Sequence, residues 1–337
     1  MTRRLLILSP SFHDYDQAFS AAFEALGFDT MVHLYDRSAT LAAKLRTKLV
    51  HELPERLGRD MTAHRARLAS EGAIRTIRAA RPDAVLVIKG DVLADDVWAE
   101  IASVGAAHAL WLYDELRRTR WSLDRLRSVG SVASYSSDDV AALRDQGIAA
   151  THVPLGFDHL RPVPSTAAGR GEVTFIGARY PRREVVMTAI SGAGIPARVF
   201  GRDWSKDPRD VLRTWGAARP DVPWGRDLAR PDAYAVMRGS AATLNIHGNQ
   251  DGFTIRTFEA CGVGAVQIVD RAEVELYYEP DAEVLVAASA DEAVAQCRRV
   301  LADPALSSRI REAARARTLA EHTLVHRARA LTALLGR

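Results

Sequence analysis

The sequence predicts an α/β protein made of two doubly wound domains, and three observations carry that expectation. Short apolar runs alternate with helix-period segments along almost the whole chain, the pattern of parallel sheets covered by helices on both faces. The alternation is interrupted at "DHLRPVPSTAAGRGE" (158–172), rich in proline, glycine and small residues, and then restarts. A chain of 337 residues also suits two domains of roughly 150 residues, each with its own core. The expected domains are therefore 1–160 and 161–337.

In the first domain "RRLLILS" (3–9) reads as a buried strand, followed by the helix "QAFSAAFEALG", which stops on Gly27. "DTMVHLYD" (29–36) is a second strand. Residues 41–81 follow the helix period with a break at Pro54. "DAVLVIKG" (83–90), "HALWLYD" (108–114), "SVASYS" (131–136) and "ATHVPLGF" (150–157) are further strands. "SDDVAALRDQG" is a helix with a Ser/Asp start and a glycine stop. In the second domain the strands are "VTFIGA" (173–178), "ARVFGRD" (197–203), "AATLNIH" (241–247), "GAVQIVD" (264–270) and "VLVAAS" (284–289), with closing helices at 290–302 and 305–335. Ligands of such sheets bind outside the carboxyl ends of the strands, and a cleft between two domains is the default site.

Composition narrows the class. At 47% apolar and 26% charged residues the chain is ordinary globular protein. Cys261 and Cys297 lie in apolar helical contexts with no CxxC pair, so they read as packed thiols in a reducing, cytoplasmic protein. The apolar run in "MTRRLLILSPSF" is too short for a signal sequence, and no stretch reaches the ~20 residues that span a bilayer. The net charge is +3, and much of the excess falls in 41–81. Aromatic residues do not interleave with that run, which argues against nucleic acid. Peripheral contact with an anionic membrane surface stays open.

The most informative stretch is "NQDGFTIRTFEACGVGA" (249–265). It follows the strand "AATLNIH", so "GNQDGFTI" is a loop at the strand's carboxyl edge and "RTFEACG" a helix that starts there. Free backbone N–H groups at such a start favour phosphate. Gly248 and Gly252 permit close backbone approach. Glu259, one to two turns into the helix, is placed to accept two hydrogen bonds from a vicinal diol such as a ribose. Phosphate at the helix start with a diol nearby describes a nucleotide diphosphate.

"DGFTIRTFEACGVGAVQIV" resembles the nucleotide-sugar motif of retaining glycosyltransferases with two Rossmann-like domains facing across a cleft (GT-B), of the family-4, group-1 type. Their pattern is an acid, seven residues and a second acid, usually Glu-Gly-Phe-Gly-x-x-x-x-Glu-Ala-x-x-x-Gly. Asp251 takes the first acid and Glu259 the second, with Gly252, Phe253, Ala260 and Gly264 in register. Asp251 is one methylene shorter than the usual Glu, Thr254 stands for a glycine, and Arg256 for a common proline. These departures, with "FIGARYPRREVVMTAI", "VFGRDW", "VLVIKG", "LWLYDE" and "HVPLGFDHLRP", are similar to the spore-maturation-type subgroup.

The resemblance implies the site. A nucleotide-diphosphate sugar (UDP-, GDP- or dTDP-linked) would bind the second domain as substrate, with no tightly bound cofactor. The loop "GARYPRRE" would supply Gly177 and the basic residues Arg179, Arg182 and Arg183 to the diphosphate. Trp204, in "FGRDW", would stand near the base. Thr254, Arg256 and His247 would line the donor, and Asp251 would face the transferred sugar. In the first domain His13, in "SPSFHDYD", stands where inverting relatives carry a general base, and Asp114 stands at an acid position lining the cleft. Asp14 or Asp16 would cap the helix that follows His13. "DYD" (14–16) lies at the wrong end of the chain for the metal-binding Asp-x-Asp of another fold, so no metal is expected. The last helix would cross back to the first domain. The acceptor (natural product, envelope component or protein) and the oligomeric state are not specified by the sequence. A sugar-nucleotide epimerase on the same fold, or a nucleotide-sugar-binding protein without catalysis, are the alternative readings.

Overall fold

The computed structural model describes residues 2–36, 62–164, 171–214, 218–248 and 250–336. Residues 41–61 of the basic 41–81 run, and Asn249, lie outside the described residues. The chain divides into two compact units, Met1–Pro154 with Leu324–Arg337, and Leu155–Thr323.

The first unit runs β1 (Arg4–Ser9), α1 (Tyr15–Glu24), β2 (Asp29–Leu34), α2 (Thr62–Ala80), β3 (Ala84–Ile88), α3 (Asp95–Ser103), β4 (Ala107–Leu112), α4 (Leu123–Val129), β5 (Val132–Ser134), α5 (Ser137–Asp145) and β6 (Ala150–His152). Its strands pair in parallel in the order β2-β1-β3-β4-β5-β6. Every residue of β3 is buried, as expected of a central parallel strand covered on both faces. The second unit runs β7 (Val173–Ile176), α6 (Pro181–Gly192), β8 (Ala197–Phe200), α7 (Pro208–Thr214), β9 (Trp224–Gly225), α8 (Arg230–Gly239), β10 (Ala242–Asn245), α9 (Ile255–Gly262), β11 (Gln267–Val269), β12 (Leu285–Val286), α10 (Ala290–Ala302) and α11 (Pro304–Glu321). Its parallel order is β12-β11-β10-β7-β8-β9. Each unit is thus a doubly wound sheet with one point where the strand order reverses, between β1 and β3 in the first and between β7 and β10 in the second.

Local signals set most helix starts. Ser136 accepts from the Asp139 amide ahead of α5, and Asp303 accepts from the Leu306 amide ahead of α11, with Pro304 in the first helical turn. Asp14 precedes α1 at φ 57° and makes no side-chain cap, so its expected capping role is not what starts that helix. The expected single helix over 305–335 is two. It breaks at His322–Thr323, where the Phe157 amide donates to the His322 carbonyl at 2.8 Å and Thr323 bridges Phe157. Beyond the break, α12 (Leu324–Leu335) packs on α1, β3 and β4 of the first unit. Arg3 Nη2 reaches the Leu335 carbonyl there at 2.5 Å. No helix among the described residues is long and apolar enough to cross a membrane.

Candidate active site

Reversal of the strand order opens a crevice outside the carboxyl ends of the two strands beside it. In the second unit those strands are β7 and β10. The segment after β7 is "GARYPRR" (177–183), and the segment after β10 is His247 to Thr254, leading into α9. Topology therefore brings the two stretches singled out in the sequence to one place.

The loop after β10 is held from below. Arg271, just past β11, donates to the carbonyls of Gln250 at 3.1 Å, Asp251 at 2.9 Å and Gly252 at 3.4 Å. Its guanidinium also lies over the Phe253 ring, 4.6 Å from the centroid. Phe253 in turn packs edge-on against His247 and Tyr277. One arginine thus fixes the path of three consecutive residues, including the motif's first acid.

At the start of α9, Thr254 is the cap residue but makes no side-chain cap, and the first turn carries no acid. The leading amides of α9 are accordingly not neutralised by their own helix. Glu259 is 2% exposed, and Arg256 one turn earlier meets its carboxylate at 2.7 Å. Beneath α9 a buried polar network ties helix to sheet: Asn245 donates to Thr257 and Gln267, both at 2.8 Å, and Gln267 donates to the Thr257 carbonyl and to Cys261 Sγ. Burial pushes the Cys261 thiol well above its ordinary range, so it is a packing group.

His247 and Asp270 form a buried pair. The Asp270 carboxylate takes both the His247 backbone N–H, at 3.0 Å, and its Nδ1, at 2.8 Å. Arg182 stands 3.4 Å from the other Asp270 oxygen. Burial alone would raise the Asp270 carboxyl; the His247 hydrogen bonds, and beyond them the charges of His247 and Arg182, outweigh burial and hold it below the usual carboxylate range. His247 Nε2 is buried with no hydrogen-bond partner among the described residues.

The three arginines after β7 have different situations. Arg183 is 9% exposed and donates to the Ile246 carbonyl at 2.7 Å and the Ala178 carbonyl at 2.9 Å. Its guanidinium also packs over Phe175 and Tyr180. It ties the two crevice loops together. Arg182 is half exposed at its side chain, and Arg179 donates to the Ala218 carbonyl and lies 3.6 Å from Glu184. Trp204, expected near the base, is 1% exposed; its ring meets Phe175 and its N–H donates to the Gly177 carbonyl at 2.9 Å. Trp204 thereby braces the Gly177 turn. That turn is tight enough that a Cβ on Gly201 would lie 2.6 Å from the Gly177 oxygen.

In the first unit the same topological rule points to the loops after β1 and β3. His13 and Asp14 take positive φ, 43° and 57°, and are exposed beside Phe12. Asp114, past β4, meets Lys89 Nζ at 3.2 Å and Arg118 at 3.5 Å. Lys89 follows β3 at φ 63°. Below them Glu115 is fully buried, bonded to the Tyr135 hydroxyl and to Arg118 at 3.3 Å.

Sequence reasoning missed Arg271, Asp270 and Lys89 as site residues. Their signals were present: "IVDR" places an Asp-Arg pair directly after an apolar strand, and "VIKG" places a lysine at a strand end before glycine.

Two parallel doubly wound units with these crevices define a GT-B-type architecture, and comparison with known proteins agrees. The UDP complex of Anabaena HepE is 14% identical, covers 99% of both chains and superposes with a TM-score of 0.64. AviGT4, a glycosyltransferase involved in avilamycin A biosynthesis, is 15% identical over 100% of this chain and 98% of its own, with a TM-score of 0.63. Sucrose-phosphate synthase from Thermosynechococcus elongatus is 15% identical over 98% of each chain, with a TM-score of 0.61. No curated protein matches the sequence significantly. Residues 181–333 match the glycosyl transferase-like family.

Proposed function

We propose that the protein moves a sugar from a nucleotide-diphosphate sugar to an acceptor, with retention of configuration and without a metal, and that UDP-sugars are the first donors to test. The observation that carries this reading is Glu259 buried on α9 and braced by Arg256, one turn from uncapped helix amides at the strand-order reversal. Glu259 is the partner for the ribose diol, and Arg256 fixes its orientation. The α9 amides and Arg182 take the diphosphate, Arg182 being the most solvent-accessible of the three loop arginines. Arg183 and Gly177 shape the loop, and Arg179 closes its outer side. Asp251, Gly252 and Phe253 set the sugar pocket on the support of Arg271. The choice of UDP rests on HepE, which is described in complex with UDP and with UDP-glucose.

In the transfer, the bond from the anomeric carbon to the diphosphate oxygen breaks and its electron pair leaves with the diphosphate. The acceptor oxygen bonds to the anomeric carbon on the same face, and the acceptor proton passes to a leaving-phosphate oxygen. Arginine and helix amides stabilise the charge that develops on that leaving group. His13 and Asp114 are assigned to the acceptor in the first unit. If His13 were instead a general base for back-face attack, the product would be inverted.

The test is nucleotide release from UDP-, GDP- and dTDP-sugars with an acceptor panel, using wild type and Glu259→Ala, with the product anomer read by NMR. Acceptor-dependent release from one donor, lost in the variant and giving a retained anomer, is the expected result. An inverted anomer abolished by His13→Ala would replace the retaining mechanism. Epimerised donor formed without acceptor would replace the transferase reading.

A further inference from the structure

We propose that the second unit carries another ligand site, for a small phosphorylated molecule, at the opposite end of α9 from the donor crevice. A cavity of about 410 Å³ lies there, floored by Gly262–Gly264 and walled by Phe157, α8 and α11. That volume falls within the roughly 300–1,000 Å³ of small-molecule sites. Eight residues of helix separate its floor from Thr254, about 12 Å along the axis.

The charge balance of the lining points to an anion. Arg238 and Arg315 line the cavity and neither has an ion-pair partner among the described residues. Arg161 is a third cation of the wall. Its acid, Asp158, stands 3.6 Å away but is closer to Arg230, at 3.0 Å. The acid of the lining is Glu312, which accepts from the Ser308 hydroxyl. Four arginines, Arg311 of the floor among them, line one concavity with a single carboxylate, a mutual repulsion that an anionic ligand relieves. Guanidinium groups suit phosphate because they bind it bidentately.

Two objections have structural answers. The carboxyl end of a helix disfavours anions, but here Arg311 donates to the Gly264 carbonyl at 3.0 Å and to the Ser240 and Ala241 carbonyls at 2.6 and 2.7 Å. The floor is thus built and its nearest carbonyl already satisfied. A basic patch can also be a solvated surface, but this one is concave and partly apolar. A Cβ on Gly262 would lie 2.3 Å from the Phe157 ring, so the missing side chain is what lets Phe157 wall the cavity. Phe157 and Leu319 offer contacts to an organic body beside the phosphate. Compactness favours a sugar phosphate or nucleotide over a polymer.

The experiment is calorimetric titration of the full chain with inorganic pyrophosphate at fixed ionic strength. Wild type is compared with Arg238→Ala/Arg315→Ala and with the donor-crevice variant Arg182→Ala/Glu259→Ala. The expected result is a binding event that survives in the donor-crevice variant and weakens tenfold or more in the cavity variant. The cavity variant should melt no lower than wild type, since it breaks no ion pair. If it does not fold, Arg315→Glu alone, an exposed change, serves the same comparison. Absence of binding to wild type, loss of all binding in the donor-crevice variant, or binding unchanged by the cavity substitutions each overturns the proposal.

Discussion

In the second unit the charged side chains at the strand-order reversal are interlocked: Arg183 holds two loop carbonyls, Arg271 holds three, Asp270 is clasped by His247 and Arg182, and Glu259 is braced by Arg256. In the first unit the corresponding edge is open, with His13 and Phe12 exposed and Asp114 in a half-exposed group with Lys89 and Arg118. The difference follows the work proposed for each. A nucleotide diphosphate is the same object in every donor and rewards a preorganised crevice. An acceptor differs between enzymes, and loops that meet it are free to vary.

The comparison breaks first at Arg183. Arg183→Ala leaves the buried Ile246 carbonyl and the partly buried Ala178 carbonyl without their donor, so a loss of about 2–4 kcal/mol is expected in urea unfolding. A loss below 0.5 kcal/mol would mean that the second unit is not interlocked as described. Arg271→Ala comes next. It should weaken nucleotide binding about tenfold with a stability loss of about 1–3 kcal/mol, because the loop keeps its sequence but loses its support. Equal nucleotide affinity in the variant would detach the Arg271 clamp from function.

A smaller effect is expected from Asp270→Asn, and it has a sign. The folded-state carboxyl lies below its unfolded value, so its contribution is present above the unfolded pKa, about 4, and is lost as pH falls through the folded value. Wild-type stability should therefore fall more steeply than that of the variant below about pH 4. Parallel curves from pH 7 to pH 3 would show that the His247–Asp270 pair is not coupled to folding. The smallest stability effect belongs to His13→Ala, within about 0.5 kcal/mol of wild type by thermal melting, since the side chain is exposed. A large destabilisation there would erase the contrast between the units.

Much of this was legible in the sequence because parallel sheets write their strands as apolar runs. β3 and β10 stand out for that reason, whereas β9, two residues at Trp224–Gly225, leaves too short a run to see. The break at His322–Thr323 was invisible because it is made by pairing with Phe157, far away in the chain, with no proline or glycine to mark it. The α9 motif was readable since its residues are local in sequence. The supports are not: Arg271 serves residues some twenty positions earlier, and Arg183 reaches the carbonyl of Ile246. Trp204, placed by resemblance near the base, is buried against Phe175 with its N–H on the Gly177 carbonyl, contacts that its sequence neighbours do not announce.

The central claim is that the α9 crevice holds a nucleotide diphosphate through Glu259. The most direct measurement is thermal stabilisation of wild type and Glu259→Ala by UDP, GDP, ADP and dTDP. A nucleotide at a hundred times its dissociation constant should add about 2.7 kcal/mol to wild type. The account predicts stabilisation by one of them, UDP first, and its loss in Glu259→Ala. Stabilisation that survives in the variant, or none by any nucleotide in a folded sample, would contradict it.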